Sequence, residues 1–378
     1  MKVYFDNAAT TPVRSEVIQS ITQSMYSTYG NPSSTHAYGR SAKSALETAR
    51  KSIAKQMNCA PQEIIFTSGG TESDNMILRC AVKDLNLKTI ISSKIEHHAV
   101  LHTLDELEDN GVKVEYLALD KYGSPKLDDL KRLLQKDDSI KLVSLMHVNN
   151  EIGNLLDLDQ VGELCKAHGA FFHTDAVQGV GHFSFDLKSQ PIDFLTAAAH
   201  KFHGPKGIGF AYIKKNSGMN SFIVGGPQER GLRAGTESLH NIVGMQKAIE
   251  IAYEKLEEER QFILDLKKYF IEKLKGLFPE VHFNGLSESL EKSTYTLVNV
   301  ALPIDSSKAA LLSFHMDLKG IACSKGSACQ SGSVADSHVL SVLQRPEDVK
   351  KLPSLRFSFS SFNTKAEVDY VTKTLSEF

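Results

Sequence analysis

Residues 170–201 read AFFHTDAVQGVGHFSFDLKSQPIDFLTAAAHK. Two apolar runs, 170–174 and 194–198, are each of strand length, and each gives way to residues that carry chemistry: Asp175 with Gln178 three positions on, then His200 and Lys201. Short apolar runs bounded by turn signals fit strands buried on both faces. A carboxylate at the end of such a run must be paired or hydrogen-bonded, because keeping it charged there is otherwise costly. Taken alone, Asp175 reads equally well as a helix N-cap. Lysine is rarely buried without a partner. One that is buried can have its pKa lowered enough to act as a nucleophilic amine.

Working outward, short β-branched runs alternate with longer helical patterns from about residue 40 to residue 255. Strands are expected at 64–67, 89–92, 113–117, 142–147, 170–174, 194–198 and 209–213, which makes the fold class α/β with a mostly parallel sheet. Five of these strands end in polar or glycine-rich tails: TSGGTES, SSKIEHH, HVNNEIG, HTDAVQ and AAHKFHG. Ligands of open α/β sheets bind beyond the carboxyl ends of the strands, so the five tails are expected to share one crevice. From Gly244 to Phe278 the pattern turns helical, with Ile263, Leu266, Phe270, Leu274 and Leu277 on one face. The EKLEEER run, 254–260, reads as a solvated helix face. Strands at 294–301, 320–323 and 355–360, with helices at 306–318 and 366–375, complete a second, smaller α+β unit. A length of 378 residues exceeds the roughly 250 to 300 at which single cores stop growing. The expected division is a large unit of residues 15–255 and a small one of 1–14 with 256–378.

Lys+Arg of 43 against Asp+Glu of 45 leaves a net charge of −2, so no global basic field exists to hold a nucleic acid or an anionic membrane. The opening MKVYFDNAATTPV has no long apolar segment, and no later run reaches about 18 apolar residues. The chain is expected to be soluble and cytoplasmic. Its five cysteines, Cys59, Cys80, Cys165, Cys323 and Cys329, are an odd number with no CxxC pair, unlike a disulfide framework or a tetrahedral zinc site, so no metal is expected.

Ser68 to Ser73, SGGTES, is a glycine turn between a strand and an expected helix start, where free backbone N–H groups and the helix dipole make an anion seat. A plain strand-to-helix turn has the same sequence, and neither this segment nor HGPKGIG at 203–209 is a P-loop. Buried aspartate, strand-end lysine and anion-type turn together are the three parts that a pyridoxal phosphate site needs.

The chain resembles the cysteine desulfurases, fold-type I pyridoxal phosphate enzymes of the class V aminotransferase group, essentially end to end. The matching segments are YFDNAATTP (4–12), YGNPSSTH (29–36), IIFTSGGTESDN (64–75), EHHAV (96–100), HVNNEIG (147–153), HTDAVQ (173–178), AHKFHGPKG (199–207), ERGLRAGT (229–236), GSAC (326–329) and LRFS (355–358). The resemblance implies that Lys201 is the Schiff-base lysine, that Asp175 pairs with the pyridinium nitrogen and that Gln178 contacts the ring hydroxyl. It implies that His97 stacks on the ring and assists proton transfer, and that Gly70, Thr71 and His200 hold the phosphate. Thr236 would reach a phosphate across a homodimer interface, while Asn150 would contact the cofactor and, with Arg356, meet the substrate carboxylate. From alternation alone, Arg356 would be solvent-facing. His98, next to His97, inherits no role.

Cys329 lies in SKGSACQSGSVADSH (324–338), a small, polar, glycine-containing stretch expected to form a mobile loop. A thiol on such a loop can be nucleophilic, whereas Cys323 in the apolar IAC run is expected to be inert. The resemblance makes Cys329 the thiolate that takes sulfur from L-cysteine, leaving alanine and an enzyme persulfide. The stretch that follows resembles the extended-loop group, in which the persulfide passes to a sulfur-acceptor or iron-sulfur scaffold protein, or serves tRNA thiolation. The chain departs from the family pattern in two places. Ala198 stands where a serine usually contributes a hydroxyl to the phosphate, and Gln330 with Asp336 alters the loop. The alternatives are a selenocysteine lyase or other class V enzyme, and an inactive desulfurase-like scaffold.

Overall fold

The computed structural model describes residues 1–325 and 337–378; Cys329, Gln330 and Asp336 lie outside them. Twelve strands are present among the described residues: β1 (Val3–Tyr4), β2 (Ile64–Thr67), β3 (Thr89–Ser92), β4 (Lys113–Tyr116), β5 (Lys141–Ser144), β6 (Phe171–Asp175), β7 (Phe194–Ala198), β8 (Gly209–Ile213), β9 (His282–Phe283), β10 (Leu297–Ala301), β11 (Ile321–Ala322) and β12 (Ser354–Ser358). The α-helices are α1 (Ser15–Ser27), α2 (Ala37–Gln56), α3 (Gly70–Asp84), α4 (His98–Asp109), α5 (Leu127–Leu134), α6 (Leu158–Ala167), α7 (Leu239–Glu254), α8 (Leu256–Leu277), α9 (Ser306–Leu318), α10 (His338–Val342), α11 (Glu347–Lys350) and α12 (Lys365–Ser376).

The main sheet runs β2-β8-β7-β6-β5-β3-β4. Its neighbours are parallel except at β8, which runs antiparallel to both β2 and β7. Side-chain alternation divides the sheet between two apolar layers. Ile64 and Phe66 of β2, with Phe210 and Tyr212 of β8, pack against Leu46 and Ile53 of α2 and Ile242 and Met245 of α7. Ile65, Ala211 and Ile213 point the other way, onto Met76 and Ile77 of α3 and Val100 and Leu104 of α4. Strands β2, β3, β5, β7 and β8 are buried at every position, as expected where helices cover both faces.

A second sheet, β12-β10-β9, is antiparallel, and β1 pairs in parallel with β11. Its apolar cluster joins Phe5, Ile263, Phe270, Val298, Phe357 and Val371, with Phe5 edge-on to Phe270 and Phe359. The arm between them touches both sheets: Phe5 bonds to Ala322 and Ser358, and Thr11 to His200. Among the described residues no helix is long and apolar enough to cross a membrane.

Four of the ten expected strands fall on the expected residues and the other six shift at their ends, while β1 and β9 were not expected. Strand β5 stops at Ser144, although Leu145 and His147 still donate to carbonyls of β6. Leu277, expected on the apolar face of α8, is 41% exposed; it is the helix's last residue, and the turned Phe278 packs against the cluster instead. In the EKLEEER run most side chains are exposed, but Glu259 pairs with buried Arg14 at 2.6 Å.

Candidate active site

The five strand tails do converge. Gly70 and Thr71 open α3, His97 is the N-cap of α4, and Asn150 follows β5; Asp175 and Gln178 follow from β6, and His200 with Lys201 forms a 3₁₀ turn after β7. All of them, with Arg356 from β12 and Ala8 and Ala9 from the arm, line one cavity of about 230 Å³. Thr236 does not; it is exposed on the chain's surface.

Lys201 Nζ donates to the carbonyls of Ala8 and Ala9 at 2.6 and 2.9 Å. Gln178 Nε2 donates to the same Ala8 oxygen at 2.8 Å, so the arm fixes two site residues at once. Asp175 is buried, and its Oδ1 accepts from the Val177 amide at 2.9 Å. Burial pushes its carboxyl up to about 6, against the pull of that amide and of Lys201. Asp74 sits beside it, driven well above the usual carboxylate range by burial and then by the Asp175 charge. Donor atoms of Asp74, His97 and Asp175 all lie within 4.8 Å of one another. Glu96 is also raised, to about 8, by burial.

His97 Nδ1 accepts from the Ala99 amide at 3.1 Å, which leaves a proton on Nε2 of the neutral ring. Burial, then Lys201, lowers it to about 4, so the ring is neutral near pH 7. His200 is lowered to about 4 for the same two reasons, and its Nδ1 lies 3.2 Å from Thr10 Oγ1. Arg356 is 1% exposed, where alternation alone had placed it in solvent. Its Nη2 donates to Asp6 Oδ1 at 2.9 Å and its Nη1 to the Asn150 carbonyl at 2.7 Å. Its Nε is buried with no hydrogen-bond partner among the described residues.

The cavity suits pyridoxal phosphate. Gly69, the N-cap of α3, takes φ +150° and supplies no side-chain cap, so the first amides of this helix remain open to an anion. A Cβ on Gly70 would come within 2.8 Å of Val177 Cγ2, so glycine keeps this approach clear. A buried carboxylate, Asp175, and an amine, Lys201, line the same cavity, the two groups that a ring nitrogen and an aldehyde call for. Ala198 lines the cavity with a methyl group. The hydroxyl of Thr196, a candidate to replace the missing serine, is 3.2 Å from His173 Nε2, so it is already engaged behind the site.

Burial raises the thiols of Cys59 and Cys323 to about 12 and that of Cys80 to about 11, and pushes Cys165 higher still. All four are protonated at neutral pH and poor nucleophiles. Sequence reasoning missed Asp6, Asp74 and the carbonyls of Ala8 and Ala9. Asp6 stands inside the YFDNAATTP segment and Asp74 inside TSGGTESDN, but only the fold brings them to Arg356 and Asp175.

Known proteins resemble the chain over nearly its whole length. The chain is 40% identical over 376 residues to the cysteine desulfurase IscS of Dictyoglomus turgidum, covering 99% of this chain and 93% of that one. A solved NifS-like protein superimposes with a TM-score of 0.90 at 36% identity, covering 100% and 99% of the two chains. SspA, solved in complex with cysteine, gives a TM-score of 0.83 at 30% identity over 96% and 100%. The model of the Aminotransferase class-V family matches residues 3–371. The chain belongs to the class V aminotransferases, fold-type I enzymes that depend on pyridoxal phosphate.

Proposed function

We propose that this protein is a homodimeric, cytoplasmic L-cysteine desulfurase that forms a persulfide on Cys329 and passes its sulfur to an acceptor or iron-sulfur scaffold protein. The observation that supports it most is the meeting of Lys201, Asp175 and Arg356 in one cavity. A division into two units at residue 255, with residues 1–14 in the smaller, belongs to the same proposal.

In this reading Lys201 holds the cofactor, Asp175 faces its ring nitrogen, Gln178 its hydroxyl and His97 its ring face. Gly70, Thr71 and His200 seat the phosphate, with Thr236 supplied by the second subunit. Bound there, pyridoxal phosphate supplies an electron sink conjugated with the substrate's Cα. Arg356, held by Asp6, offers its remaining N–H groups to the substrate carboxylate with Asn150 beside it, and the guanidinium fork suits a carboxylate. Released by the incoming amine, Lys201 moves the Cα proton as base and then acid, and neutral His97 donates or accepts beside it. The Cys329 thiolate attacks the substrate sulfur, so that an S–S bond forms as the Cβ–S bond breaks. The electron pair left on carbon takes up a proton, giving alanine. Carbon is reduced and sulfur oxidised by the same amount, so no external oxidant is required.

Mass measurement of the protein after exposure to L-cysteine tests this. Cys329 is expected to gain one sulfur atom. Full sulfide release by Cys329→Ala, with dithiothreitol as acceptor, would overturn the persulfide route.

A further inference from the structure

We propose that His98, His102 and His338, with Glu151 beside them, bind a divalent cation of the zinc class that ties α4 to α10. The cysteine pattern had pointed to no metal; the candidate donors here are imidazoles and a carboxylate.

His98 and His102 are four residues apart on α4, a spacing that puts both rings on one helix face and is used by helical zinc sites. Their ring centroids are 4.9 Å apart. His338, the first residue of α10, brings a third ring within 4.5 Å of His98. Both ring nitrogens of His98, Nδ1 of His338 and Oε1 of Glu151 are buried with no hydrogen-bond partner among the described residues. Glu151 is fully buried, and its Oε1 lies 3.9 Å from His338 Nδ1.

The tautomer sharpens this arrangement. His338 Nε2 lies 2.9 Å from the Glu96 carbonyl, which can only accept, so Nε2 carries the proton of the neutral ring and Nδ1 presents a bare lone pair. A carbonyl that pins the far nitrogen in this way is the usual support of a metal-bound histidine. The lone pairs of His338 and Glu151 thus lie 3.9 Å apart with no donor to either among the described residues, an arrangement that a cation relieves. Ser337 donates to the other oxygen of Glu151. Three imidazoles and one carboxylate form a donor set suited to tetrahedral zinc. The donors are not yet closed around one point. His102 is exposed at the rim, where its ring can turn onto the cation. The position joins two functional neighbourhoods: His97, lining the cofactor cavity, precedes His98, and His338 follows Cys329 by nine residues in the sequence.

The test uses cofactor-loaded protein carrying Cys329→Ala, so that neither the Asp74, His97 and Asp175 group nor the loop thiol competes. Cobalt(II) is followed by its visible d–d absorption and zinc by calorimetry. One equivalent is expected to bind, with tetrahedral cobalt bands and no thiolate charge-transfer band. His102→Gln, on the exposed rim, and His338→Gln are each expected to weaken binding at least about tenfold, with unchanged circular dichroism. Absence of cobalt bands at millimolar metal, undiminished binding in the double variant, or a thiolate band would each overturn the proposal. None of these readouts depends on desulfurase activity, so the inference stands or falls apart from the proposed function.

Discussion

Half-buried Lys201 and fully buried Lys267 each donate to backbone carbonyls, and they differ in what faces them. Lys267 on α8 is 0% exposed; its ammonium lies 2.7 Å from both Ser293 Oγ and the Thr294 carbonyl, and burial pushes it down to about 7. Lys201 is held in a similar way by the Ala8 and Ala9 carbonyls. The difference lies on the open side. Lys267 is fully buried on α8, whose Leu266 and Phe270 belong to an apolar cluster, whereas Lys201 lines a cavity together with Asp175, His97 and Arg356. Burial of an amine is therefore not the mark of chemistry; room for a carbonyl carbon beside it, with a buried carboxylate in the same cavity, is.

The sharpest way to break this comparison is to remove each amine. Lys201→Ala is expected to lower alanine release from L-cysteine by about a thousandfold or more, while Lys267→Met keeps the wild-type rate. Equal losses in the two variants would erase the distinction. Next in size is Arg356→Lys, which removes a fork that a point charge cannot replace. Its KM for L-cysteine is expected to rise about ten- to a hundredfold, with a smaller change in kcat. A fall in kcat alone would place Arg356 elsewhere in the cycle.

Lys267 makes a prediction of its own about pH. Its folded pKa, about 7, lies below the ordinary 10.5, so above pH 7 the unfolded chain binds more protons than the folded one. Stability from this group rises as pH climbs from 7 toward 10.5, by about 2 kcal/mol between pH 7 and 9. Urea midpoints at the two pH values should separate more in the wild type than in Lys267→Met. The variant leaves the Thr294 carbonyl without its donor, a cost of about 1 to 3 kcal/mol, so the pH slope and not the absolute midpoint is the readout. Smallest is Ala198→Ser, which restores a hydroxyl at the phosphate wall. Cofactor affinity should rise by no more than about tenfold, one neutral-to-charged hydrogen bond.

The same contrast shows what the sequence could carry. Apolar runs placed β2, β3, β7 and β8 at their residues, because a strand buried on both faces is written entirely in its own composition. The strand tails located Lys201 and Asp175 by the rule that ligands sit beyond strand ends. The reversal of β8 between β2 and β7 was not legible, since pairing direction depends on connections across the sheet. Arg356 was expected at the site only through the resemblance, and it lines the cavity. Its burial depends on Asp6, 350 residues away, a distance over which no periodicity speaks. Lys201 is likewise recognisable by position, but its carbonyl cradle comes from an arm nearly 200 residues earlier. His98 inherits no family role, and the nitrogens of His98 and His338 that lack partners among the described residues appear only once α10 meets α4.

The claim on which the account rests is that Lys201, and not another buried amine, carries the cofactor. Protein loaded with pyridoxal phosphate can be reduced with borohydride, digested, and its pyridoxyl-bearing peptide located by mass. The account predicts a single mark on the peptide containing Lys201. A mark on Lys267 or on any other lysine, or none at all, would contradict it.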